Sequence, residues 1–256
     1  MLTLAVSNQK GGTGKTATAH NLGAALAAAG LRTLLIDCDP QASLTRACGV
    51  EDSSGASLAE VLGGGAPGRL TLPQVIKHIA GGLDLVPADI ALATAELGLT
   101  SRLGRESILK RALGSIAGAY DLALIDCGPS LGLLTVGALC AADGVLIPTQ
   151  PQAQDLRGLS LFLDTIKAIQ AELNPGLELL GVVVTFYDSR LTHHKQAIET
   201  IKRVGLPILA TLGRSIKVAE AAGAGQAVLE YDPSNPQSEN YRQLAEYIKQ
   251  WQQKRL

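Results

Sequence analysis

Aromatic residues make up only 3% of this 256-residue chain, which has one tryptophan, two phenylalanines and a single methionine. Any interior must therefore be filled by aliphatic side chains and alanine. Cysteine is scarce as well. Cys38, Cys48, Cys127 and Cys140 show no Cys-x-x-Cys spacing, which argues against a disulfide framework or a zinc site and reads as reduced, small buried residues. No apolar run approaches the roughly eighteen residues needed to cross a bilayer, and no charged n-region with an apolar h-region precedes the first strand pattern. A soluble, cytoplasmic protein is expected. The formal net charge of −1 excludes a global basic field, so any attraction to nucleic acid or acidic membrane has to be local. Internal repeats and low-complexity linkers are lacking.

What is present is a chain of 46% hydrophobic and 18% charged residues, enough to bury a large core. Length permits one large domain or two small ones. The pattern favours one, over residues 1–256. Apolar runs of strand length at Leu2 to Val6, Arg32 to Asp37, Leu83 to Val86, Tyr120 to Asp126, 144–149, 178–185 and 206–210 alternate with helical segments. Those segments fall at Ala17 to Ala29, Ser57 to Leu62, Ile90 to Leu99, Arg105 to Ile116, about 131–141, 155–171, 190–203 and Gln237 to Lys254. Such alternation predicts parallel βαβ units: an α/β fold with a mostly parallel twisted sheet and helices on both faces. Residues 42–80 are less regular, and Gly63 to Gly68 reads as an exposed loop.

The informative stretch is Ser7-Asn8-Gln9-Lys10-Gly11-Gly12-Thr13-Gly14-Lys15-Thr16, between the first strand and an alanine-rich helix beginning near Ala17. Its glycines let the backbone turn tightly and aim N–H groups inward at the positive end of the helix dipole, which is a phosphate-binding arrangement. Lys15 can reach the β- and γ-phosphates, and the Thr16 hydroxyl can coordinate Mg²⁺. The usual Gly-x-x-x-x-Gly-Lys-Ser/Thr pattern asks for glycine at position 9; Gln9 stands there, and Lys10 adds a second cation free to meet a phosphate held by a partner. The plainer alternative is a glycine-rich turn without a ligand.

Ligands of doubly wound sheets sit beyond the carboxyl ends of strands, where this sequence puts Asp37, Asp39 and Asp126. Asp126 closes an apolar strand, the position of a carboxylate that holds Mg²⁺ in phosphoryl-transfer enzymes, and Asp37 can act similarly. Asp39 lies on the following loop, able to orient an attacking water. Taken singly, each aspartate has a second explanation as a helix cap or turn former.

With these residues together, the chain resembles the ParA/MinD family of deviant P-loop ATPases, and within it the short, Soj-like ParA partition proteins. The resemblance rests on Lys10 to Thr16, Leu35-Ile36-Asp37-Cys38-Asp39-Pro40-Gln41, Ile125-Asp126-Cys127-Gly128-Pro129-Ser130, Leu146-Ile147-Pro148-Thr149-Gln150, Tyr187-Asp188-Ser189-Arg190 and Glu230-Tyr231-Asp232-Pro233. It implies ATP and Mg²⁺ as cofactors, with Lys10 reaching the phosphates of the opposite subunit in a nucleotide-sandwich homodimer and Gly11 allowing the close approach. It further implies a phosphate cradle of Lys10, Gly11, Gly12, Thr13, Gly14, Lys15, Thr16 and Ala17, metal coordination around Thr16, Asp37 and Asp126, and catalysis by Lys10, Lys15 and Asp39. The family commonly has Cys-Pro-Pro where this chain has Cys127-Gly128-Pro129, and Pro-Arg-Asn near the adenine where it has Gly213-Arg214-Ser215.

Relatives of this kind bind double-stranded DNA without sequence preference when dimeric, and a ParB-type centromere-binding partner stimulates slow hydrolysis; the implied state with ATP is nucleoid-associated. Arg190 and Lys217 match positions the family uses for DNA, and Lys195, Lys202, Arg203 and Arg214 lie in the same region, although each taken alone also fits an ordinary solvated charge. The helix-turn-helix extension of larger plasmid relatives is lacking, so operator binding is not expected. The main alternative is a MinD-like membrane-associated regulator, which requires an amphipathic terminal helix. The stripe Tyr241, Leu244, Ile248 and Trp251 instead fits docking on the body, so membrane binding is not expected. Two further rivals are an iron–sulfur ATPase using Cys127 and Cys140 at an interface, and a small-molecule kinase, for which no acceptor segment is apparent. His193 and His194 read as surface residues.

Overall fold

The computed structural model describes residues 1–63, 70–80 and 82–255. In chain order its elements are β1 (Leu2–Val6), α1 (Lys15–Ala28), β2 (Thr33–Cys38), α2 (Ser43–Ala47), α3 (Leu58–Leu62), α4 (Leu72–Val75), β3 (Lys77–Ala80), β4 (Leu83–Val86) and α5 (Ala91–Leu99). A single 3₁₀ turn at Arg105–Ser107 leads into α6 (Ile108–Gly114). Then follow β5 (Leu122–Cys127), α7 (Leu133–Ala141), β6 (Gly144–Thr149), α8 (Ala153–Glu172), β7 (Glu178–Tyr187), α9 (Thr192–Arg203), β8 (Ile208–Gly213), α10 (Ile216–Gly223), α11 (Val228–Tyr231) and α12 (Pro236–Arg255).

The strands form one eight-stranded sheet in the order β3-β4-β2-β5-β1-β6-β7-β8. All pairings are parallel except β3 with β4 at the edge. Alternation along the strands sends side chains to two separate apolar layers. Leu4, Val6 and Leu35 face α1 and α12, with Leu22, Leu26, Leu244 and Ile248 in that layer. Ala5, Leu34 and Ile36 face the opposite layer, with Leu92, Leu109, Leu139 and Phe162. Both faces of the sheet are therefore covered, which is why its central strands read as continuous apolar runs. Gly23 sits where α1 approaches the sheet most closely, since a Cβ there would lie 2.6 Å from Leu35 Cδ2.

Local signals set several boundaries. Gly30, at φ 86°, follows the C-cap of α1, and Ser57 with Glu60 forms a capping box on α3. Other boundaries differ from the sequence reading. The helix expected over Arg105 to Ile116 is divided into a 3₁₀ turn and the shorter α6, and the strand expected at 206–210 runs instead over Ile208–Gly213. The antiparallel β3 and the short helices α2, α4, α10 and α11 carry too few residues for a periodic signal. The loop read at Gly63 to Gly68 falls, beyond Gly63, outside the described residues.

The α12 stripe of Tyr241, Leu244, Ile248 and Trp251 is buried against the body, and among the described residues no helix is long and apolar enough to cross a membrane. Cys127 and Cys140 are buried too, and burial pushes the Cys127 thiol up to about 12, so neither presents a thiolate at a surface. His20, on the buried face of α1, is held at about 4 by desolvation of its charged form. Unfolding returns it to its ordinary 6.5, so the unfolded chain binds a proton first as pH falls, and this share of stability disappears between pH 6.5 and 4. Denaturant titrations should show a loss of about 3 kcal/mol across that window that is absent from His20→Leu.

Candidate functional site

The sheet order places β2, β5, β1 and β6 side by side, and their carboxyl ends converge on the loop after β1. Register then aligns three residues across adjacent strands, because Val6 pairs with Asp126 and Asp126 pairs with Asp37. The two carboxylates stand next to the point where the chain leaves β1 for the glycine-rich loop.

Within that loop Gly12 and Gly14 have φ of 75° and 81°, the left-handed region that glycine occupies without strain. Gly14 is the N-cap of α1, and a Cβ there would lie 3.3 Å from Thr185 Cγ2. The loop is tied down from both sides. Asn8 Nδ2 donates to the Pro148 carbonyl at 2.7 Å while its Oδ1 accepts from the Lys10 N–H at 3.1 Å. Gln150 Nε2 donates to the Gly12 carbonyl at 2.7 Å, and the Thr185 hydroxyl donates to the Thr13 carbonyl at 2.9 Å. Gly11 and Gly12 remain exposed.

Lys15 is almost fully buried, and its ammonium donates to the Lys10 carbonyl at 3.0 Å. Desolvation lowers its pKa, while the nearby Asp126 carboxylate pulls it upward. The two aligned carboxylates differ sharply. Asp37 is satisfied: one oxygen accepts from the Thr45 N–H at 2.8 Å and the Thr45 hydroxyl at 2.7 Å, and the other accepts from the Asp39 N–H at 3.2 Å. Asp126 is buried and, among the described residues, has no hydrogen-bond partner of good geometry on either oxygen. Burial, then the Asp37 charge, raises Asp126 well above the carboxylate range, with the Thr16 hydroxyl and Lys15 pulling the other way. Two orphaned carboxylate oxygens beside a threonine hydroxyl fit a hard divalent cation with oxygen ligands. Asp37 anchors the following loop through three accepted hydrogen bonds, which leave about one of its lone-pair positions open.

Asp39, just beyond β2, is partly exposed and accepts from the Gln41 N–H at 2.9 Å. Gly128 lies opposite it, where a Cβ would stand 3.3 Å from Asp39 Cγ. Two non-glycine residues among those described have left-handed backbones, Ala42 at φ 52° and Phe186 at φ 53°, and both flank this region. Such conformations cost about 1–3 kcal/mol and concentrate at ligand clamps. Behind Gly14 and Ala17, between Phe186, Leu212, Ser215, Val218 and Tyr241, lies a mostly apolar cavity of about 240 Å³.

Two expectations are corrected. Lys10 is not free: its ammonium lies 2.6 Å from an Asp155 carboxylate oxygen in the same chain. His194 is not a surface residue; its Nδ1 accepts from the Asp188 N–H at 2.9 Å and its ring packs against Tyr187. Turning inward satisfies the loop that β7 leaves exposed, while its neighbour His193 faces out. The basic residues read as a surface do lie on the β7–β8 side of the sheet, but several have acidic partners. Arg190, in the loop before α9, forks onto Asp188 with its Nη2 2.6 Å from Oδ2; Lys202 pairs with Glu199 and Lys217 with Glu220; Arg214 stacks over Phe186 at 5.6 Å. Lys195 and Arg203 lie on α9. Asn8, Thr45, Asp155 and Thr185 escaped sequence reading, because their roles are set by partners up to 172 positions away.

The geometry is that of a P-loop NTPase, and the comparisons agree. A family model described as an AAA domain matches residues 1–179. The sporulation initiation inhibitor protein Soj of Bacillus subtilis is 39% identical over 248 residues, spanning 96% of this chain and 97% of that protein. The chromosome partitioning protein ParA of Caulobacter vibrioides is 41% identical over 250 residues, spanning 96% and 92%. A Mycobacterium smegmatis structure described as cobyrinic acid a,c-diamide synthase with bound ADP and magnesium aligns with a TM-score of 0.83 at 39% identity, covering 98% of this chain and 95% of that one. The chain belongs to the ParA/MinD family of P-loop ATPases, alongside the Soj and ParA proteins.

The unpartnered Asp126 carries a stability penalty that a neutral isostere would relieve. Without nucleotide, Asp126→Asn should melt higher, by about 1 kcal/mol or roughly 3 °C, and should lack the additional stabilisation by Mg²⁺ with ATP expected of the unmodified protein; calorimetry checks both.

Proposed function

We propose that this protein is a partition ATPase that binds ATP with Mg²⁺, closes as a nucleotide-sandwich homodimer, binds DNA without sequence preference, and is released on hydrolysis stimulated by a ParB-type partner. The observation that carries this reading is one loop holding two lysines of different fate: Lys15, buried within the field of the Asp126 carboxylate, and Lys10, at the rim on Asp155. A phosphate cradle built for a single subunit needs only the first.

In this reading the N–H groups of Gly11 to Thr16 and the Lys15 ammonium hold the phosphates, and the Thr16 hydroxyl and Asp126 hold the metal, which neutralises charge on the transferring phosphoryl group. The base enters the apolar cavity behind Gly14 and Ala17, whose volume suits a purine. Asp39 orients the attacking water from the loop after β2; as a carboxylate partly open to solvent it is a weak base, so unassisted turnover is slow. Lys10 of one subunit stabilises charge on the phosphate of the other, as an arginine finger does.

DNA binding falls to Arg190, Lys217, Arg214, Lys202, Arg203 and Lys195. Their pairs with Asp188, Glu220 and Glu199 are exposed, and exposed pairs contribute little, so phosphates can displace the acids. Doubling such a surface in a dimer couples ATP to DNA affinity and steepens salt dependence. A MinD-like membrane cycle has no support in α12, whose apolar stripe is occupied by packing.

The deciding experiment is solution mass and retention on DNA without nucleotide, with ADP and with ATP; equal mass with ADP and ATP would overturn the reading. Asp39→Ala should form an ATP dimer that stays on DNA with hydrolysis reduced at least about 10-fold, and a variant that remains monomeric with ATP would contradict its role. Arg190→Glu should dimerise normally while its DNA affinity at 0.15 M salt drops about 10-fold or more, as measured by fluorescence anisotropy.

A further inference from the structure

The contact between Lys10 and Asp155 is more than a surface ion pair. Asp155, in the first turn of α8, has a fully buried side chain, while Lys10 is one-third exposed. One Asp155 oxygen accepts from the Lys10 ammonium at 2.6 Å, and the other has no hydrogen-bond partner among the described residues. A buried carboxylate with one short, charge-assisted bond depends on that cation, aided by the N-terminal dipole of its own helix. The same stretch of chain grips the loop elsewhere: Gln150 holds the Gly12 carbonyl, and Gln9 Nε2 donates to the Thr165 hydroxyl on α8 at 3.4 Å.

We infer that Asp155 is an internal counter-ion that holds Lys10 in its own subunit and opposes dimer closure until a triphosphate on the partner displaces it. This rests on the ATPase reading and adds its regulation. Lys10 cannot reach across an interface while its ammonium lies on Asp155. When it leaves, a buried carboxylate is stranded, so the first turn of α8 must shift or admit water. The opposing free energy makes closure selective for the ligand with most negative charge facing the interface. A diphosphate offers too little to draw the lysine away; a γ-phosphate, bearing charge at the outer end of the nucleotide, offers more. The device also gives α8 two positions, with Lys10 home and with Lys10 away, and so carries the nucleotide state to the outer face of the molecule.

The test is Asp155→Asn, which keeps shape and removes the charge. Sedimentation equilibrium should show half-dimerisation with a non-hydrolysable ATP analogue at about 10-fold lower protein concentration than in the unmodified chain, and measurable dimer with ADP, where the unmodified chain has none. Unchanged or weakened dimerisation with either nucleotide would overturn the inference. Binding of a fluorescent ATP analogue is measured on both proteins: failure to bind by the unmodified chain overturns the ATPase reading itself, whereas normal binding with an unaltered dimer midpoint overturns only the role of Asp155. Asp155→Ser, smaller and also neutral, gives the same comparison should Asp155→Asn fold poorly.

Discussion

An excess of buried negative charge at the carboxyl edge of the sheet is the constraint on which the site depends. Parallel register brings Asp37 and Asp126 into adjacent places on β2 and β5, and the glycine loop brings Lys15 beside them as the single buried ammonium. Thr45 and the Asp39 backbone solvate Asp37, whereas Asp126 has only the nearby Thr16 hydroxyl and Lys15 charge and, among the described residues, no hydrogen bond of good geometry. A site short of one cation, next to N–H groups and lysines set out for anions, is stabilised by a ligand that brings metal and phosphate together. Left-handed Ala42 and Phe186 add backbone strain beside the same site.

Around this centre, hydrogen bonds join the loops after β1, β2, β5 and β6. Asn8 fastens the phosphate loop to β6, Asp37 fastens the Asp39 loop to α2 through Thr45, and Glu96 Oε1 accepts from the Leu134 N–H at the start of α7, fixing the loop after Asp126. Polar ties of this kind exchange partners more readily than a packed core does. The two apolar layers beneath supply a rigid base for the ligand-facing loops.

The double role of lysine follows from its chemistry. A flexible, compact ammonium such as Lys10 can pass from a carboxylate to a phosphate by rotating its stem, which a planar guanidinium held bidentately does less easily. The same contrast holds at the basic surface, where Arg190 is forked onto Asp188 by two parallel bonds and Lys202 and Lys217 make single contacts. Lys10 at the phosphate loop and Arg190, Lys202 and Lys217 on the β7–β8 side are each paired with an acid of their own chain.

Sequence alone determined the layered α/β architecture, because strands covered on both faces need unbroken apolar runs and crossover helices need their own period. It also located the phosphate loop, since glycines, Lys15 and Thr16 in register with a strand and a helix leave little else for that backbone to do, and it placed Asp37, Asp39 and Asp126 at strand ends. Tertiary structure alone decided which carboxylate is open and which is engaged, where Lys10 rests, and that His194 turns inward. The reason is distance along the chain: Lys10 meets Asp155 across 145 positions and Thr185 meets Thr13 across 172, contacts fixed by sheet order and strand register, which no local pattern of residues encodes.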